Sequence, residues 1–175
     1  MTAPTDSGYR QSHQGCGTEY HSQFSDNPRR RMMWQIEQAM LEDILEATRQ
    51  QSTDEITYLD FACGTGRVLG FVSEHTNTAT GVDVSDSMLE VAATSAPGAE
   101  LISADITQDD SPLSGRHFEL ITAFRFFPNA EPGLRSEAIR ALADCLSPDG
   151  RLVFNNHRCL SSLRHRLVRL LTLGR

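Results

Sequence analysis

The chain has 175 residues, enough for one domain with a substantial core, and its 39% hydrophobic and 22% charged content is ordinary for a globular protein. A formal net charge of −7 argues against a nucleic-acid partner, and no apolar run approaches the roughly 20 residues that span a bilayer. Cys16, Cys63, Cys145 and Cys159 are scattered with no CxxC pair, so the expectation is reduced thiols in the cytoplasm, with no disulfide frame and no metal site.

Residues 1–25 are polar and aperiodic, which predicts a flexible arm ahead of a domain over 26–175. MTAPTDSGYRQSHQG has neither the basic start nor the apolar stretch of a secretory signal. Asp26 or Asn27 before Pro28 signals a helix start. Met33, Ile36, Met40, Leu41, Ile44 and Leu45 then recur at helical spacing, with Glu37, Glu42, Asp43 and Glu46 assigned to the surface, predicting a helix over 28–50. Strands are predicted at 56–61, 78–84, 99–106, 118–127 and 151–155, alternating with helices at 65–75, 85–95 and 132–146. A loop covers 107–117, and Pro148-Asp149-Gly150 reads as a turn. A last helix, 160–173, carries Leu160, Leu163, Leu167, Leu170 and Leu171 against arginines.

Strands alternating with helices imply right-handed crossovers and a doubly wound α/β domain, a mostly parallel sheet with helices on both faces. Ligands in such sheets sit outside the carboxyl ends of the strands, where the strand order reverses. The first strand ends in Asp60-Phe61-Ala62-Cys63-Gly64-Thr65-Gly66, whose small residues let the backbone turn sharply and approach a ligand closely. The second ends in Asp83-Val84, an acid suited to paired ribose hydroxyls. The third ends in Asp105-Ile106, an acid able to accept from an exocyclic amine beside an aliphatic cover for a flat base.

DFACGTG, GVDVSDSMLEVA, ADI, FELITAFRFF and LSPDGRLVF, in this order over residues 56–155, resemble the class I S-adenosylmethionine-dependent methyltransferases of Rossmann-like fold. The resemblance implies S-adenosylmethionine as cofactor, with S-adenosylhomocysteine as product, and a sheet that the family usually completes to seven strands with a final antiparallel hairpin. The expectation here is five strands in the order 3-2-1-4-5, without that hairpin. By the same resemblance, Asp60 and the loop Ala62, Cys63, Gly64 and Gly66 line the methionine end. Asp83 with Val84 meets the ribose and Met88 packs near the adenine. Asp105 meets the adenine amine with Ile106 against the ring, and Phe124 lies near the methyl group. Ala62 departs from the family's usual first glycine.

Displacement at a sulfonium methyl needs chiefly alignment of the acceptor, with a general base only where a proton must leave early. His157, Asn156 and Arg125, at the ends of the fifth and fourth strands, are the candidate acceptor-side and catalytic residues. Tyr20 and Phe24 are candidates for a lid, and Arg29, Arg30 and Arg31 read as a solvated charge run. Cys63 reads as a small buried residue rather than a nucleophile. The expected acceptor is a small molecule. A nicotinamide oxidoreductase would favour G-x-G-x-x-G, which this loop lacks, and a non-catalytic binding module on the same fold is the alternative. The apolar fifth strand and the leucine helix predict a homodimer through that edge or helix unless another segment covers them.

Overall fold

The computed structural model of the chain describes residues 27–51, 55–108 and 110–156. Helix α1 covers Pro28–Gln51. Asn27 starts it, its Oδ1 accepting from the backbone N–H of Arg29 at 3.0 Å and of Arg30 at 3.3 Å. Strands β1 (Thr57–Phe61), β2 (Thr78–Asp83) and β3 (Glu100–Ser103) alternate with helices α2 (Arg67–Ser73) and α3 (Asp86–Ser95). β4 (Phe118–Ala123), α4 (Pro132–Asp144) and β5 (Leu146–Phe154) follow. The strands pair in parallel in the order β3-β2-β1-β4-β5, the doubly wound topology that the alternation predicts.

Side chains alternate between the two faces, as strand geometry requires. Tyr58 and Leu120 join Leu41 and Leu45 of α1, Val68, Leu69 and Val72 of α2 and Leu89 of α3 in one core. Leu59, Phe61, Ile121 and Ala123 join Leu134, Ala138 and Leu142 of α4 in the other. Leu41 and Leu45 are 0% and 1% exposed, each worth about 1.5–3 kcal/mol of apolar burial. Helix α1 is turned by about one residue from its predicted setting. The row Glu37, Leu41, Leu45 and Thr48 faces inward, while Met33, Ile36 and Met40 are 38%, 49% and 58% exposed. Glu37, expected on the surface, is therefore buried; its partners, described below, explain why the helix turns that way.

Three strand boundaries differ from the predicted ones by three residues or more, each for a local reason. β3 is short because the Asp105 carboxylate draws in the Thr107 N–H at 3.1 Å and hydroxyl at 2.6 Å, making a turn. β4 stops at Ala123 rather than 127 because the chain turns at Arg125, which takes φ 65°. β5 begins at Leu146, and the predicted Pro148–Gly150 turn sits inside it as a bulge. Its pairing with β4 jumps from Phe118↔Leu146 to Leu120↔Arg151. Among the described residues β5 pairs only with β4, and Phe154 near its end is 50% exposed. The predicted arm 1–25 and leucine helix 160–173 lie outside the described residues, as do Tyr20, Phe24, Cys16 and Cys159.

Candidate functional site

The turn after β1 is built from left-handed backbone. Ala62, Gly64 and Gly66 have φ of 54°, 55° and 76°. For Ala62 this conformation costs roughly 1–2 kcal/mol, the kind of strain that persists where surrounding contacts hold it. The Cys63 N–H donates to the Val82 carbonyl, and the Gly66 N–H to the Cys63 carbonyl, both at 3.0 Å. A Cβ on Gly66 would lie 2.9 Å from the Ala92 Cα of α3, so only glycine lets the loop pass beneath that helix. Asp83 ties the loop to β2. Its Oδ2 accepts from the Gly64 N–H at 2.9 Å and its Oδ1 from the Ser85 N–H at 3.0 Å.

Around this turn opens a cleft of about 1020 Å³, part of it open to solvent. It lies at the carboxyl edge of the sheet, where the chain order reverses between β1 and β4. Asp60, Ala62, Cys63, Gly64, Asp83, Val84, Met88, Asp105 and Phe124, all singled out from the sequence, line it together. Gly66 and Ile106 do not. Gly66 serves helix packing, and Ile106 is 2% exposed within the α4-side core. Of the acceptor-side candidates, Arg125 lines the cleft. Asn156 is exposed and is not part of the lining, and His157 lies outside the described residues.

The wall is electrostatically divided. Asp60 is 2% exposed, and burial pushes its carboxyl up to about 7, against the Thr122 hydroxyl bond and the Arg67 charge that favour ionisation. Asp105 uses Oδ1 for Thr107, while its Oδ2 accepts from the Gln108 side chain at 3.3 Å. Burial first, then the neighbouring charges of Asp60 and Asp83, push the Cys63 thiol well up, making it a poor nucleophile.

Facing the acids is a cluster that sequence reasoning missed. The Glu37 Oε2 accepts from Arg67 Nη1 and Nη2 at 3.2 Å each and lies 3.5 Å from Arg125 Nη2. Its Oε1 accepts from Asn155 Nδ2 at 3.1 Å, and the Asn155 Oδ1 accepts from the Arg125 N–H at 2.6 Å. The Arg67 guanidinium also stacks on Trp34 at 3.9 Å. One carboxylate thus joins α1 to the starts or ends of α2, β4 and β5, and it holds both arginines of the cleft lining. Glu37 precedes Leu41 by four residues on the row that α1 buries. Only that helical row could have flagged it, and the wider apolar stripe beside it hid the signal.

Among the described residues no group of three or more His, Cys, Asp or Glu side chains could hold a metal ion. No helix among them is long and apolar enough to cross a membrane.

A doubly wound sheet with acids at three successive strand ends around one switch-point cleft defines a Rossmann-like domain of the nucleotide-cofactor class. Residues 59–150, more than half of the chain, match the methyltransferase domain family, and the chain belongs to that family. The solved structures agree in fold. CalS10, an amino pentose methyltransferase from Micromonospora echinaspora, is 25% identical with a TM-score of 0.60, the match covering 78% of this chain and 54% of that one. KedS8, a sugar N-methyltransferase from Streptoalloteichus, is 28% identical with a TM-score of 0.53, covering 65% and 45%. Magnesium protoporphyrin IX methyltransferase from Synechocystis, at 16% identity, has a TM-score of 0.66 over 94% of this chain and 76% of that one. The match spans about half the length of the two sugar methyltransferases. The curated proteins compared with the chain give no match.

Proposed function

We propose that the protein binds S-adenosylmethionine in this cleft and transfers its methyl group to a small-molecule acceptor. The carrying observation is that Asp60, Asp83 and Asp105, from three separate strand ends, line one cleft in a chain of the methyltransferase domain family. The residues fit that cofactor. Asp60 is a buried carboxyl whose charge lacks full compensation, which suits the ammonium of a methionine end. A Cβ on Gly64 would meet no protein atom within 4 Å, leaving the loop open to a close ligand. The Gly64 and Ser85 N–H groups donate to Asp83 and fix its carboxylate in the cleft lining, where an acid suits paired hydroxyls. Met88 and Val84 supply apolar cover for the nucleoside, Asp105 accepts from the exocyclic amine, and Phe124 packs toward the methionine end.

When bound, the cofactor supplies an electrophilic sulfonium methyl group. The chain's part is to bind, orient and exclude water, with Arg125 of the cleft lining as the acceptor-side residue. Support for a small-molecule acceptor comes from the amino pentose and sugar methyltransferases among the similar structures. Family membership lends no support to a non-catalytic binding module. The proposed setting is the cytoplasm, in keeping with the buried, unpaired Cys63 and Cys145. Two copies are proposed to pair along β5, where Phe154 is exposed.

Calorimetry with S-adenosylhomocysteine and with NAD tests the cofactor assignment, the first binding and the second not. Asp83→Ala should weaken S-adenosylhomocysteine binding by about 1.5–3 kcal/mol, the scale of a charge-assisted hydrogen bond. A variant that binds as tightly as the wild type removes the ribose assignment.

A further inference from the structure

Beneath the cleft three polar side chains stand in line, and the roles assigned above use only one of them. Tyr58 and Asp60 are two residues apart on β1 and share one face of the strand. Thr122 on β4 is in register with Asp60. The Tyr58 hydroxyl lies 2.6 Å from Thr122 Oγ1, and the Thr122 hydroxyl donates to Asp60 Oδ1 at 2.6 Å. Tyr58 and Thr122 are fully buried. When Asp60 is ionised, the single hydroxyl proton of Thr122 is committed to its carboxylate, so the Tyr58 O–H is then the donor of the other bond. Burial keeps that phenol protonated by pushing it well above its ordinary value. The line therefore has one polarity, from Tyr58 through Thr122 to Asp60. Two fully buried hydroxyls inside a sheet are costly unless bonded, and the line they form ends at the carboxyl that lines the cleft.

We propose that Tyr58 and Thr122 are positioning residues that orient the Asp60 carboxyl, and that ligand binding beside Asp60 is coupled to release of its proton. The inference rests on the proposed function, in which a cationic amino group reaches Asp60. The other groups facing Asp60 are Arg67 and the Leu69 N–H from α2, which favour ionisation, and Asp83 from β2, which opposes it. Before binding, the carboxyl keeps its proton up to about pH 7. An ammonium beside it favours the carboxylate, the proton passes to solvent, and the Thr122 hydroxyl donates to the ion so formed. Affinity should then fall about tenfold for each pH unit below that midpoint.

The test is calorimetry of the whole chain with S-adenosylhomocysteine, in two buffers of different ionisation heat, at about pH 6 and about pH 8. Close to one proton should leave per site at the lower pH and almost none at the higher. Thr122→Val should move the pH midpoint of binding upward by about one unit, the size of one hydrogen bond to a charge. Tyr58→Phe should move it in the same direction by less. That variant keeps the buried ring and removes one oxygen, so it stays informative if Thr122→Val fails to fold. A wild-type protein that binds with no proton exchanged overturns the coupling, and the proposed function stands. A midpoint unmoved by Tyr58→Phe, or a uniform loss of affinity at every pH, overturns the positioning role. A protein that binds no S-adenosylhomocysteine at any pH overturns the proposed function and this inference with it.

Discussion

Replacing Glu37 with alanine removes the carboxylate that Arg67, Arg125 and Asn155 share. Its side chain is 8% exposed, and those of Arg67 and Arg125 are 20% and 21% exposed. Breaking a fully buried pair by deleting one partner costs about 3–5 kcal/mol. Partial access of water to both guanidinium groups, and the stacking of Arg67 on Trp34 that survives the change, bring the expected loss to about 2–3 kcal/mol. At this chain length that corresponds to a melting temperature lower by roughly 4–12 °C. Chemical and thermal unfolding of the ligand-free protein measure it, with the exposed Glu42→Ala on the same helix as control, expected to change stability by under about 0.5 kcal/mol. Equal losses from Glu37→Ala and Glu42→Ala would refute the idea that this cluster anchors α1 to the cleft.

Asp60→Asn should flatten the pH dependence of stability in the ligand-free protein. The folded-state value of Asp60, about 7, lies above the unfolded one of about 3.9. Its stabilising protonation is thus complete below the unfolded value and lost as pH rises through the folded one. From about pH 5 to about pH 8 the wild type should lose about 2.5 kcal/mol more than Asp60→Asn; parallel pH profiles from urea unfolding would count against a buried, proton-holding carboxyl. Pairing of two copies through β5 predicts a dimer by light scattering that Phe154→Glu dissolves, and a wild-type monomer at high concentration removes it.

The α/β alternation was legible because hydrophobic period and turn residues change together at each boundary, whereas the strand order came only with the family resemblance. The glycine loop and the acids at 60, 83 and 105 were legible because each sits where a strand must end. Other features depended on partners distant in sequence. Glu37 is drawn inward by arginines 30 and 88 positions along the chain, and no local pattern marks such an attraction. The end of β4 was misjudged because Ala-Phe-Arg-Phe-Phe reads as a continuing strand, whereas the left-handed φ of Arg125 goes with Asn155 binding its N–H. Ile106 fits an aliphatic cover for a base equally well as a core residue, and only packing separates the two.

The topology also orders the assembly of the cleft in time. The bond from Gly64 to Asp83 closes a loop of 19 residues, whereas that from Thr122 to Asp60 closes one of 62. Closing the longer loop costs about 1 kcal/mol more in chain entropy, and non-local parallel pairings are the slow ones in folding. During folding, the side of the cleft built from β1 and β2 is therefore favoured to form ahead of the β1–β4 junction. A ligand that touches both Asp83 and Asp60 bridges an early contact and a late one, and gains its full hold only once the more distant of the two connections is made.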